Sequence, residues 1–136
     1  MADVTITAAS VVPSANAEFY QGTAGGTITA GMACYLDTST NTLKAADANA
    51  SALTPVVKGI AAHGASAGQP LRVQTAGSIT IGGTVVLATV YVLSATAGGI
   101  APDADAASGM YCSIIGVATS ATVLALSIFN SGALKA

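Results

Sequence analysis

The sequence predicts an all-β fold, a small β-sandwich or barrel built from two pseudo-repeated β-units with an extended N-terminal arm. Three observations carry that reading. The apolar runs are short, β-branched and bounded by Gly, Asn, Asp and Ser, which is the pattern of strands and turns. Helix signals are few: "APDADAASGM" has Asp and Ser near a possible cap and the Ala-rich linkers allow one turn, but Gly and Thr elsewhere oppose longer helices. The third observation is that the chain matches itself when displaced by 57 positions.

In that displacement Gly25, Gly26 and Thr27 fall on Gly82, Gly83 and Thr84, Leu36 on Leu93, Gly59 on Gly116 and Ala61 on Ala118. Apolar character agrees between the identities, as in Ile28 with Val85, Ala33 with Val90, Val57 with Ile114 and Ile60 with Val117. Past Ala61 a two-residue deletion restores the match and lays "LRVQTAG" (71–77) on "LSIFNSG" (126–132). The chain therefore divides into an arm, residues 1–24, and a single β domain, residues 25–136, made of pseudo-repeats 25–80 and 82–136. Two copies are too few for a solenoid, so the units are expected to share one core.

Each unit has the same internal order. A glycine-led segment enters an apolar strand ("ACYL", "TVYVL"), which a polar turn joins to a short return strand ("TLKAA", "GIAP"). A loose Ala/Asp/Ser linker then leads to a second strong strand ("PVVKGIAA", "CSIIGVAT") and, after a short turn, to a last one ("PLRVQ", "VLALSIF"). "VLALSIF" alternates in part, as a strand with one covered face does, whereas "YCSIIGV" is continuous, as expected of a strand covered on both faces. In the arm, "DVTITAA" alternates, with Val4 and Ile6 on one side and Asp3, Thr5 and Thr7 on the other. Pro13 interrupts any central strand there, and Phe19–Tyr20 is the densest aromatic pair in the chain. Such an arm either folds onto its own domain or adds a strand to a neighbour's sheet edge. The residues it offers to an interface with another subunit or partner are Val4, Ile6, Val11, Val12, Phe19 and Tyr20.

Charge narrows the function. Only 7% of the 136 residues are charged, against about 25% in ordinary domains. A neutral surface repels its neighbours weakly, a hazard for a lone soluble protein and the expected state of one packed against partners. With no Trp and few aromatics the core must be built from Val, Ile, Leu and Ala, so the isolated subunit is expected to be marginal and helped by assembly. The four basic residues, Lys44, Lys58, Arg72 and Lys135, are dispersed, which argues against nucleic acid as a partner because phosphate neutralisation needs clustered positive charge. No membrane span is expected: the uncharged stretch 75–102 is broken throughout by Gly, Ser and Thr, unlike a run of about 20 apolar residues. The opening "MADVTITAAS" lacks the basic and apolar regions of a signal peptide. Cys34 and Cys112 read as buried thiols in preference to a bridge.

Candidate chemistry is sparse. His63 is the single histidine, and the second unit has Ser120 in its place. A nucleophilic site would need it beside Ser66 or a cysteine with an orienting acid, and no G-x-S-x-G is present. Asp103 and Asp105 are spaced as oxygen ligands, but a metal needs several more oxygens nearby. Asn49-Ala50-Ser51 is a formal glycosylation sequon, without meaning unless the chain is secreted. The reading is therefore no enzyme, no metal and no cofactor, with His63 a polar turn residue.

Finally, the elements "AGMACYL" (30–36), "GIA" (59–61), "AGQP" (67–70) and "LRVQTAG" (71–77), with "VYVLSATAGGIAP" and "IIGVATSATVLALSIFNSG" in the second unit, resemble the small capsid decoration, or cement, proteins of tailed bacteriophages. The resemblance covers about residues 25–132; the arm departs from the pattern. It implies a virion protein on the capsid exterior, made in the host cytoplasm. Its partners would be the major capsid protein and further copies of itself, a trimer being favoured over a dimer, and it would cement neighbouring capsid subunits. "LSATAGGI" is similar to segments of phage tail and fibre proteins, so a tail, baseplate or fibre module that binds a host surface is the alternative.

Overall fold

The structure is a computed structural model that describes residues 3–46, 56–94, 98–103 and 111–134, with the backbone alone for Cys112 and residues 131–134. The sequon and Asp105 lie outside the described residues. The strands are β1 (Val11–Pro13), β2 (Glu18–Thr23), β3 (Ala33–Asp37), β4 (Thr42–Ala45), β5 (Val57–Ala61), β6 (Pro70–Ile81), β7 (Val90–Leu93), β8 (Ile100–Pro102), β9 (Tyr111–Ala118) and β10 (Val123–Leu134). A 3-10 turn, Ala8–Ser10, precedes β1. The fold is all-β, as the short β-branched runs require.

The strands form one curled antiparallel sheet in the order β4-β3-β5-β6-β10-β9-β7-β8, with β1 and β2 also paired to β6. Strand β6 is the hinge of this arrangement. Its first part pairs with β2 (Tyr20↔Val73, Thr23↔Pro70) and β5 (Ala61↔Val73). Its last part pairs with β1 (Val11↔Ile81) and β10 (Leu124↔Ile79, Leu126↔Gly77). The strand changes partners at Gly77, whose φ of +88° suits glycine far better than any other residue. The Gln74 amide fastens this bend, its Nε2 donating to the carbonyls of Ala76 (3.1 Å) and Ser78 (2.8 Å). Beyond β2 the Gly25 amide donates to the Leu43 carbonyl (2.8 Å), and Ala24 bridges Leu43, so the first half of the sheet curls back toward β4.

The order is palindromic about β6 and β10, and the registers repeat. Ala33↔Ile60 and Cys34↔Gly59 join β3 to β5; Val90↔Val117 and Tyr91↔Gly116, each partner 57 positions later, join β7 to β9. Both ladders slip at the same step, between Cys34 and Tyr35 and between Tyr91 and Val92. Leu36↔Leu43 in β3–β4 likewise returns as Leu93↔Ile100 in β7–β8. The last hairpin differs from expectation. Ala61↔Val73 closes the first and Ala118↔Leu124 the second, so the second loop is shorter by six residues, not two. Val73 therefore matches Leu124, and the proposed superposition of Leu71 on Leu126 is corrected.

Two apolar clusters result. One lies within the first half and holds Ile28, Cys34, Leu43, Ala61, Leu71 and Val73, with Tyr20 and Leu36 at its margin. The larger one lies between the halves, where Ala33, Tyr35, Val57 and Ile60 meet Tyr91, Leu93, Ile100, Ala118 and Leu124. Asn130 fastens the halves across this seam: its Oδ1 accepts from the Val57 amide (2.8 Å) and its Nδ2 donates to the Val57 carbonyl (3.1 Å). Asn130→Ala removes both bonds and leaves two backbone groups short of partners in a part-buried site, so denaturant melts should show a loss of about 1–3 kcal/mol. An unchanged midpoint would mean that water replaces the clamp.

Candidate interaction face

The chemistry-bearing residues are committed to local structure. His63 Nε2 accepts from the Arg72 amide (3.2 Å), which leaves Nδ1 as the protonated nitrogen that meets the Gly64 carbonyl (2.9 Å). Ser120, at the matching place in the second unit, accepts from the amide of Val123 (3.2 Å), the residue that matches Arg72. One histidine and one serine thus tie equivalent hairpins. Ser66 belongs to the same first turn, where its amide donates to the Gln69 side chain (2.8 Å). Cys34 is buried in the first cluster, and burial pushes its thiol up to about 12, so it stays protonated at neutral pH. Asp103 is exposed just past β8. Among the described residues no group of three or more His, Cys, Asp or Glu could hold a metal ion, and no helix is long and apolar enough to cross a membrane.

The arm is folded onto its own chain. Val4 and Ile6 pack against the larger cluster, as their shared side of the alternation allows, and Val11 is part of it at 8% exposure. The Val4 amide donates to the Ile100 carbonyl (2.7 Å) and the Thr7 amide to the Gly82 carbonyl (2.8 Å). Tyr20 faces the first cluster. Of the six residues offered to an interface, the structure thus spends Val4, Ile6, Val11 and most of Tyr20 internally. Phe19 stays exposed beneath the Arg72 guanidinium, 4.1 Å from its ring, and Val12 stays exposed at 56%. Open clefts of about 590 and 270 Å³ flank residues 3–7; the acid they share, Asp3, accepts a hydrogen bond from the Ser94 hydroxyl (2.6 Å).

Charge divides the molecule. The strands of the first half carry Glu18, Asp37, Lys44, Lys58 and Arg72. Asp37 Oδ1 accepts from the Ser39 amide (3.0 Å) and hydroxyl (2.7 Å), and its Oδ2 accepts from Lys44 Nζ (2.8 Å). These bonds, that of Lys44 foremost, hold the Asp37 carboxyl well below the usual aspartate range. Lys58 sits over the Tyr20 ring at 4.6 Å. The places matching Asp37, Lys44, Lys58 and Arg72 in the second half are Ser94, Ala101, Ile115 and Val123. Strands β1, β7, β8, β9, β10 and the last five residues of β6 contain no charged residue.

The outer face of this second half is set by its register. Val12, Thr80 and Val123 form one cross-strand row. Ser78, Ala125, Val117 and Val90 form the next. Phe129 pairs with Ile114 beyond them. Val117 is 38% and Phe129 61% exposed. Sequence reading missed this face because its residues look like ordinary core residues; the available signal was the continuous apolar character of β9, which predicts cover on both sides. The face presents apolar side chains together with Thr80 and Ser78, and no charge. No protein-family model matches the chain, and none of the curated proteins matches it.

Proposed function

We propose that this chain is a structural virion protein that binds the outer surface of a tailed-phage capsid and cements neighbouring major-capsid subunits. The observation that supports this best is the half-molecule of uncharged strands with Val12, Val117 and Phe129 in solvent. A face without charge gains little from water and lacks the repulsion that keeps monomers apart, so it suits a protein that works while covered. The resemblance of both units to decoration proteins supplies the class of partner. Many weak apolar contacts repeated over a closed lattice hold through their number, since each additional contact is made at high effective concentration. In this reading the hairpin histidine and the Asp37–Lys44 pair serve the fold, and no reaction takes place.

Electron microscopy of the particle that carries the chain is the direct test. Density for the two-unit fold should stand on the outer surface of the head, repeated at lattice positions between capsid subunits. A bare head, with that density in the tail, baseplate or fibre, would replace the capsid reading by the tail reading.

A further inference from the structure

The two units pack head to tail, and this exposes a surface whose counterpart is buried within the same chain. In the first unit Ala33, Ile60 and Gln74 lie in one cross-strand row and are fully buried. Ala33 and Ile60 lie in the large cluster against the second unit's Tyr91, Leu93 and Leu124. The register places Val90, Val117 and Ala125 at the same three positions of the second unit. There Val117 is 38% exposed and Val90 and Ala125 are half-buried. The first unit thus shows what the apolar part of this row does when a partner is present: Ala33 and Ile60 pack into the cluster shared with the other unit, while Gln74 turns its amide to the carbonyls of Ala76 and Ser78.

We infer that the second unit's row Val90, Val117 and Ala125, with its neighbours Val12 and Val123, is the face through which copies of this chain associate. Charge selects the occupant. A charged partner surface would leave its charges desolvated and without a counter-charge here, because no side chain on this face is charged. The mate must therefore be neutral and apolar. The first half of the molecule, with Glu18, Asp37, Lys44, Lys58 and Arg72 on its strands, does not qualify. The face that does is the same face on a second copy, and two such sheets can stack with their side chains interleaved at the usual spacing of about 10 Å. The continuous apolar run of β9, which reads as a strand covered on both sides, is then explained by assembly. The inference rests on the virion reading only in that both place copies side by side, and it is tested without any capsid.

The experiment is mass measurement of the purified full chain across a dilution series, for the wild type and for Val117→Lys, Ala125→Lys and Thr23→Lys. Thr23 is an exposed position on β2 and serves as the control. The wild type and T23K should be multiples of the 13.1 kDa chain. V117K and A125K should be single chains with unchanged strand signal, their dissociation constants raised roughly a hundredfold or more by a buried unpaired ammonium. A wild type that stays a single chain at every concentration overturns the inference, as does association that survives both lysines. If the wild type is a single chain and V117K fails only to decorate capsids, the face belongs to the capsid partner and the virion reading stands. If V117K abolishes association while microscopy finds the head bare, the inference stands and the capsid reading falls.

Discussion

Gly77→Ala will be among the most damaging single changes in this protein, and Gly68→Ala, at almost the same backbone angle, will be mild. Both glycines have positive φ, +88° and +87°. An alanine at either place meets the left-handed penalty, of the order of 1 kcal/mol. They differ in what a side chain would meet. At Gly68 nothing lies within 4 Å of the added carbon. At Gly77 it would stand 2.5 Å from the Asn16 carbonyl oxygen and 2.9 Å from the Ala17 Cα, both backbone atoms of the arm. Backbone cannot rotate aside as a side chain can, so either β2 shifts away from β6 or β6 loses its bend. Adding an overpacking cost of about 1–3 kcal/mol brings the total to roughly 3 kcal/mol, about 10 °C of melting temperature for a chain of this size. Thermal and urea melts of the two variants decide the matter. Equal losses would show that the arm yields easily and that Gly77 serves only the backbone angle.

The same bend shows which features are legible in a sequence. The 57-residue displacement could be read because it rests on glycines and turns with fixed jobs. Gly59 and Gly116 each sit where the next strand's carbonyl, of Gln74 or Ala125, leaves no room for a Cβ. The length of the last hairpin could not be read. Strand side chains have a period of two, so an apolar strand matches another equally well at any even shift, and only the hydrogen-bond ladder fixes which shift is real. The match of Leu71 to Leu126 and the observed match of Val73 to Leu124 differ by four places and keep the same face inward. The arm illustrates a related ambiguity. The alternation of Val4 and Ile6 establishes an apolar side, and both lie on it, but a pattern of faces does not say whether the surface they meet belongs to this chain or another. The outer row of Val90, Val117 and Ala125 was hidden for the converse reason: it has the composition of a core and the position of a surface.

Because the arm completes the core, its removal will test stability before it tests binding. Val11→Ala should cost about 2 kcal/mol, as expected for truncating a buried valine that leaves a cavity between β6 and the loop at Gly31, while Val12→Ala, one residue along and 56% exposed, should stay within about 0.5 kcal/mol. Deleting residues 2–17 removes Val11 together with the partly buried Val4 and Ile6, the β1–β6 pairing and the bonds to Ile100 and Gly82. At about 1.5–3 kcal/mol for a fully buried aliphatic side chain and less for the two at the margin, the loss is roughly 4–6 kcal/mol. That rivals the whole stability of a small domain, which begins near 5 kcal/mol. The truncated chain should therefore lose its cooperative melt and become sensitive to protease, and any loss of partner binding would then say nothing about contact through the arm. Val12→Ala and Phe19→Ala are the variants that separate the two roles, since their side chains are exposed and their loss leaves the core intact. A truncated chain that melts cooperatively near the wild-type temperature would show instead that the arm is an accessory strand, free to leave this domain for a neighbour.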